Sequence, residues 1–400
     1  MRRPPHALRR WIPAALAAGL LVLALVMHLK WRPGPEVGPL RAAAPPADLA
    51  VHPGPGIDAA LAAALRHLDR LAPETPLPPP GPRGRSVTTA AALRDTAAEL
   101  RRLLAAGLPP ERLDAEIRRR FAFLAPAAPG GEAGDVLVTG YFQPRLRASR
   151  HRAPGYTYPL YGRPRDLVRV PLRDFDPGLP DATLWGRVDH GRLRPYYTRR
   201  QIDWEGALAG AEVLAWVASP MAGLELHVQG SGILDFPDGT SRFVHYAGSN
   251  GRPYRSVGAW LIQRGQLAPE AADWPGIRAW AAAHPERLPE LLAANARYVF
   301  FRWEKEGPLG SLGERLVPMH SVALDPAVYP PGAVLYLEVP LPGEPAPYRA
   351  LVVSLDTGAA IQGPGRVDLY CGTGPAAGRL AGALRARGRL FLLLGPGSNR

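Results

Sequence analysis

VSLDTGAAIQGPGRVDLYCGTGPAAGRL, residues 353–380, is the stretch on which the reading of this chain turns. It starts as a short apolar strand and turns through small residues. On the way it sets down two carboxylates, Asp356 and Asp368, then passes through glycines to a predicted helix start at Pro375. A loop built of Gly and Ala buries little of its own surface, which suits close approach of a ligand to the backbone.

Working outward, the flanking sequence is a series of short β-rich runs: DVLVTGYF (135–142), YTYPLY (156–161), SRFVHYAG (241–248), RYVFFRW (297–303), SVALD (321–325), GAVLYLEV (332–339), RALVVSLD (349–356) and RLFLLL (389–394). GLELHVQGSGILDF (223–236) alternates as a strand, a turn at Gly230–Gly232 and a second strand. Helical periods cover 57–71, 88–106, 111–123, 256–265, 275–283 and 289–295. Short strands with sparse helices predict β-barrel-like domains and not a parallel doubly wound sheet.

The 400 residues carry one cysteine, Cys371, which excludes an intrachain disulfide and a cysteine metal cluster. The His residues lack ligand spacing, so neither metal nor cofactor is expected. A net charge of +13, nearly all from arginine, predicts an anionic partner or reflects composition bias. Arg2, Arg3, Arg9 and Arg10 precede an apolar run over residues 11–29, close to the length that crosses a bilayer. An uncleaved signal anchor is the favoured reading, with a cleaved peptide or a twin-arginine signal as alternatives. The Pro-rich residues 33–56 read as a tether. Export of the body argues against a nucleic-acid partner.

Asp325, Asp356 and Asp368 stand at strand ends. Asp325-Pro326 has the look of a turn. Asp356 and Asp368 flank one loop, and two neighbouring carboxylates raise one pKa and supply a proton donor. Asp356-Thr357-Gly358 is also the aspartic-protease triplet, but those enzymes need two such loops and this chain has one. GYFQP (140–144) and HVQGSG (227–232) combine strand ends, glycine, amides and aromatic faces, a mixture that suits sugars.

TGYFQP (139–144), HVQGSG (227–232), YAGSNGRPYRSVG (246–258), NARYVFF (295–301), HSVALD (320–325) and LDTGAAIQG…RVDLYCGTG (355–374) occur in the order that resembles the membrane-bound lytic murein transglycosylase A family. The resemblance implies a mainly β fold with helical additions (α+β): a three-aspartate double-psi β-barrel, a second, inserted β-rich domain, and a groove between them. After the anchor (1–32) and tether (33–56) read from the residues above, it divides the chain into helices and the first barrel strand (57–146), the insertion (147–298) and the remaining barrel (299–400). It implies a peptidoglycan lytic exotransglycosylase that leaves a 1,6-anhydromuramic end. The catalytic residues would be Asp368 and Asp356. Glycan would be bound by Thr139, Gly140, Tyr141, Gln143, Gln229, Gly230, Ser231, Tyr246, Asn250, Tyr254 and Ser256. The partners expected are peptidoglycan strands, the membrane through residues 11–29, and cell-wall synthesis proteins docking on a monomer. The chain departs from the family at Ala359 and Gln362, where a glycine and a lysine are usual. A non-catalytic peptidoglycan-binding barrel is the alternative.

Overall fold

A computed structural model describes residues 39–47, 49–80, 86–126, 133–180 and 182–395. The apolar run at 11–29 and its flanking arginines lie outside the described residues. Among the described residues no helix is long and apolar enough to cross a membrane.

In chain order the first part supplies β1 (Leu40–Ala43), helix α1 (Pro55–Leu68), a hairpin of β2 (Pro76–Pro80) and β3 (Ser86–Thr89), α2 (Ala90–Ala105), α3 (Pro110–Arg120), β4 (Ala122–Pro126) and β5 (Asp135–Gln143). The middle adds β6 (Arg145–Ser149), β7 (Tyr158–Tyr161), β8 (Val168–Pro171), β9 (Thr183–Asp189), β10 (Arg192–Pro195), α4 (Arg199–Trp204), β11 (Val213–Val217) and α5 (Pro220–Gln229). It continues through β12 (Ser231–Asp235), β13 (Ser241–Ser249), α6 (Val257–Gln263), α7 (Trp274–Ala283), α8 (Leu288–Ala294) and β14 (Val299–Glu304). The last part is β15 (Ser321–Ala323), β16 (Val334–Val339), β17 (Tyr348–Asp356), β18 (Arg366–Thr373), α9 (Gly374–Ala383) and β19 (Arg385–Leu394).

Six strands close into a barrel in the order β19-β16-β17-β15-β18-β5, with β5 returning to β19; β4 and β1 extend from β19. Alternation assigns the two barrel faces. Leu335, Leu337, Val352, Val367, Leu369, Leu390 and Leu392 fill the interior. Val334, Tyr336, Leu351, Val353, Phe391 and Leu393 face outward onto α1 and α2 through Ile57, Leu61 and Leu100. Burial on both faces explains why these strands read as unbroken apolar runs. The second sheet, β14-β13-β12-β6-β11-β7, belongs to the middle segment. Its last strand, β14, pairs with β13 from Val299 to Glu304, beyond the limit of 298 expected for the insertion.

Two expectations fail. Of the tether expected at 33–56, residues 33–38 lie outside the described residues, and the part from Leu40 packs on the body. Leu40–Ala43 pairs antiparallel with β4, and Leu49 and Val51 are buried in the core against α1. Residues 223–229 are helix α5 and not a strand. Ser219 caps it, accepting from the Ala222 N–H at 3.3 Å; Pro220 occupies the first turn, and Gly230 ends it with φ 77°. The helix is buried on nearly all sides, between Leu224's core and Leu226's core. No polar stripe was left to reveal a helical period.

Candidate active site

The site is a row of residues drawn across five neighbouring strands. Ala323 on β15 pairs with Asp356 on β17 and with Asp368 on β18. Asp368 pairs in turn with Thr139 on β5, and Thr139 with Arg385 on β19. Paired side chains share a face, so the two aspartates flank Ala323 about 10 Å apart at their backbones. The row lies on the outer face of the barrel, because Val138, Val322, Val367 and Leu369, which alternate with it, fill the interior. Two-residue periodicity adds Arg366 and Tyr141 to the same face.

The two carboxylates have different surroundings. Asp356 Oδ1 accepts from the backbone N–H of Ser311 (2.9 Å) and Thr357 (2.8 Å), and Oδ2 from the Tyr141 hydroxyl (2.9 Å). Asp368 Oδ1 accepts from the Thr139 hydroxyl at 2.7 Å, and among the described residues no protein group bonds Oδ2. Burial pushes the Asp368 pKa up to about 6, opposed by the Thr139 hydrogen bond and Arg366 and reinforced by Asp356. Burial also raises Asp356, against the pull of hydrogen bonds from Thr357, Ser311 and Tyr141. Asp325 is a turn and loop clamp: its oxygens accept from Ala327 (2.9 Å) and Gly363 (2.6 Å).

The binding candidates divide into two groups. Thr139, Gly140, Gln229, Tyr254 and Ser256 line one cavity of about 230 Å³ between the barrel and the inserted segment. Burial raises the Tyr254 pKa, opposed by a hydrogen bond with Ser256 and reinforced by the Asp368 carboxylate. Gln229 Oε1 accepts from the Phe142 N–H at 3.1 Å and ties α5 to β5. Ser256 caps α6. Gly140 allows close packing: a Cβ there would lie 2.7 Å from Ala381 Cα and 2.9 Å from Cys371 Sγ.

The other candidates serve the framework. Gln143 is buried, accepting from Thr373 at 3.4 Å. Gly230 is the left-handed cap of α5. Ser231 begins β12 opposite His245, and Tyr246 sits on β13 opposite Phe301. Asn250 is a buried hub: its amide donates to the carbonyls of Tyr197 and Ala296, both at 2.8 Å, and its oxygen accepts from Tyr298 at 2.8 Å and Arg252 at 3.3 Å. The lone Cys371 is buried behind Gly140.

Sequence reading missed Arg366. Its Nη2 donates to Thr139 Oγ1 at 3.3 Å, while its buried Nη1 has no partner among the described residues. Its place two residues before Asp368 on a strand was the available signal. Arg199 was missed as well. It is fully buried and donates to the carbonyls of Asn295 (3.0 Å) and Arg297 (2.6 Å) and to His227 Nδ1 (3.0 Å). Burial, then Arg199, lowers the His227 pKa, so His227 in HVQGSG is a neutral framework group.

The pattern of the MltA specific insert domain matches residues 137–302, and that of the 3D domain matches residues 320–394. Membrane-bound lytic murein transglycosylase A of Escherichia coli K12 is 35% identical over 268 residues, which are 65% of this chain and 66% of that protein, just under two thirds of its length. The crystal structure of a membrane-bound lytic murein transglycosylase from Agrobacterium tumefaciens superposes with a TM-score of 0.72 at 30% identity, covering 86% of this chain and 93% of that one. E. coli MltA with bound chitohexaose superposes at 0.68 and 27% identity, covering 90% and 97%. With both domain patterns, the motif order and the barrel-plus-insertion architecture in agreement, the chain belongs to the membrane-bound lytic murein transglycosylase A family.

Proposed function

We propose that this chain is a peptidoglycan lytic transglycosylase that cleaves the β-1,4 bond between N-acetylmuramic acid and N-acetylglucosamine, with Asp368 as its acid. The observation that carries this is the contrast between the two aspartates. Ser311, Thr357 and Tyr141 donate to both oxygens of Asp356, whereas among the described residues Asp368 keeps Oδ2 free of protein partners, and its pKa is pushed up to about 6. One carboxyl is thus retained as a proton carrier and the other as a fixed neighbouring charge.

Asp368 gives its proton to the glycosidic oxygen as the C1–O bond breaks. The muramic 6-hydroxyl attacks C1 and forms the 1,6-anhydro ring, and its proton passes to the Asp368 carboxylate, which restores the acid. No water is consumed, and the sugar's own hydroxyl acts at high effective concentration. That removes the need for the second carboxylate that hydrolases use to activate water. Asp356, held by Tyr141, raises the proton affinity of Asp368 through space. Thr139, Gly140, Gln229, Tyr254 and Ser256 around the cavity offer the glycan hydroxyls, an amide and an aromatic ring. The E. coli relative that binds chitohexaose, a chain of β-1,4-linked sugars, supports a glycan in this groove.

The relatives' names support residence in the cell envelope. With the apolar run at 11–29 as anchor, a monomeric body would act on the wall from the periplasmic side. The test is digestion of purified peptidoglycan with mass analysis of the fragments. Anhydro ends absent with Asp368→Ala are expected; reducing ends would make the protein a hydrolase, and no release would leave a binder.

A further inference from the structure

Arg385, the first residue of β19, is a cation without a partner. It pairs with Thr139 and so stands on the same outer face as the two aspartates. Its side chain is exposed and lines the cavity of about 230 Å³ beside Thr139 and Gly140. Among the described residues no hydrogen bond, ion pair or ring contact reaches it. Arg366 stands nearby with one nitrogen on the Thr139 hydroxyl and its enclosed Nη1 unpartnered among the described residues. Burial lowers the Arg366 pKa; Asp368 opposes that and Arg385 adds to it, so the two guanidinium groups repel each other. The carboxylates around them are engaged elsewhere. Asp135 pairs with Arg387 at 3.6 Å, and Asp356 is bonded by Ser311, Thr357 and Tyr141. Asp273, on the inserted side of the cavity, caps α7 by accepting from the Gly276 N–H at 2.8 Å. Asp368 is protonated in the state that attacks the glycosidic bond, so in that state both arginines are uncompensated.

Guanidinium groups match carboxylates in shape and charge, and the glycan carries one at the right place. The muramic ring whose C1–O bond breaks bears a lactyl ether on C3, two ring atoms from the reacting carbon. Arg385 is likewise one strand, about 5 Å, from the Thr139 that holds the acid. In stem-free glycan the lactyl group ends in a free carboxylate. In stem-bearing glycan it is an amide, and the nearest carboxylate sits on the peptide. The cavity is smaller than the roughly 300–1,000 Å³ of sites for drug-sized ligands, which suits one sugar with a short branch. We propose that Arg385, with Arg366 behind it, binds a carboxylate on the lactyl branch of the muramic residue being cleaved, an assignment that takes its ligand from the transglycosylase reading above. Arg385 is thereby a specificity residue that favours glycan charged at this branch.

The test measures binding by titration calorimetry in full-length Asp368→Asn, which keeps the neutral shape of the protonated acid and does not cleave. Short glycan strands are prepared three ways: stem-free, stem-bearing, and stem-free with each lactyl carboxylate converted to its methylamide. Stem-free strands are expected to bind about ten-fold tighter than the methylamide strands, the value of a hydrogen bond to a charged group. Adding Arg385→Gln is expected to bring that ratio close to one, and Arg385→Lys to keep part of it as a point charge without the fork. Stem-bearing strands that bind like the methylamide strands place the carboxylate on the lactyl group. Stem-bearing strands that bind like the stem-free ones, and weaken equally with Arg385→Gln, place it on the peptide. Equal affinity for stem-free and methylamide strands overturns the proposal, as does a preference that survives Arg385→Gln. Digestion by the parent chain is read separately. Anhydro ends without any binding preference would remove the role of Arg385 alone; a preference without anhydro ends would remove the transglycosylase reading and leave the carboxylate site.

Discussion

The Thr139 hydroxyl donates to Asp368 Oδ1 across 2.7 Å, between the parallel partners β5 and β18. Arg366 Nη2 donates into the same hydroxyl oxygen at 3.3 Å. A hydroxyl has one proton to give, so Arg366 directs it toward the carboxylate. Oδ1 is then an acceptor, and the acid's own proton resides on Oδ2. The usual loop lysine is Gln362 here, and Arg366 is the cation that this arrangement keeps beside the acid.

Removing the hydroxyl tests this geometry. Thr139→Val is expected to lower kcat by about 10- to 100-fold, the value of a hydrogen bond to a charged group. It removes a group that holds the Asp368 pKa down, so the alkaline limb of the pH–rate profile is expected to move upward. Arg366→Gln is expected to shift the limb in the same direction by about one pH unit, with Arg366→Lys restoring it. The other groups around Asp368 are Asp356, Tyr141, Tyr254 and Cys371; they are unchanged in all three variants. Rate loss with an unmoved limb would reduce Arg366 to a packing role.

Asp368 itself is expected to trade stability for function. Its folded pKa of about 6 lies above the unfolded value of 3.8. Well below pH 3.8 both states hold the proton. Between the two values the unfolded chain loses it first, so stability falls as pH rises to about 6 and then levels off. Asp368→Asn avoids that loss. It is expected to abolish glycan cleavage while adding up to about 3 kcal/mol of stability at pH 7 and little at pH 4. Denaturant melts at the two pH values decide it; equal differences at both would remove the burial argument.

Gly140 is expected to tolerate no side chain. A Cβ would meet the backbone of α9 at Ala381 and the Cys371 sulfur. Gly140→Ala is therefore expected to cost about 1–3 kcal/mol and shift α9 outward. A thermal melt within one degree of the parent would contradict the packing account.

Asn250 separates framework from substrate contact. Its side chain makes four hydrogen bonds within the inserted segment. Asn250→Ala is expected to lose about 2–4 kcal/mol of stability by stranding buried partners, with KM unchanged in the protein that remains folded. A raised KM with unaltered melting would return Asn250 to the glycan site.

Much of the barrel was legible because β16, β17 and β19 are buried on both faces and so read as continuous apolar runs. The Asp356–Asp368 loop was legible because small residues and carboxylates mark a strand-end turn whatever the surroundings. Helix α5 was not, since Leu224, Leu226 and Val228 alternate as a strand would while two cores enclose the helix. Asn250-Gly251 and Gln143 carried the composition of a sugar site, yet their amides are consumed by buried carbonyls and hydroxyls. Composition names the donors available and not the partners that use them.

By itself, then, the sequence supplied the two candidate aspartates, the order of the motifs and the strand pattern of the barrel. These depend on local alternation and turn preference. Tertiary structure decided which aspartate keeps an unpartnered oxygen, that Arg366 stands behind Thr139, and that the β8-β9-β10 face stays in solvent. The first two depend on the register between strands distant in the chain, such as β5 against β18, which no local pattern encodes; the third depends on what packs against each face of the small sheet, where Leu184, Val188 and Leu193 are exposed.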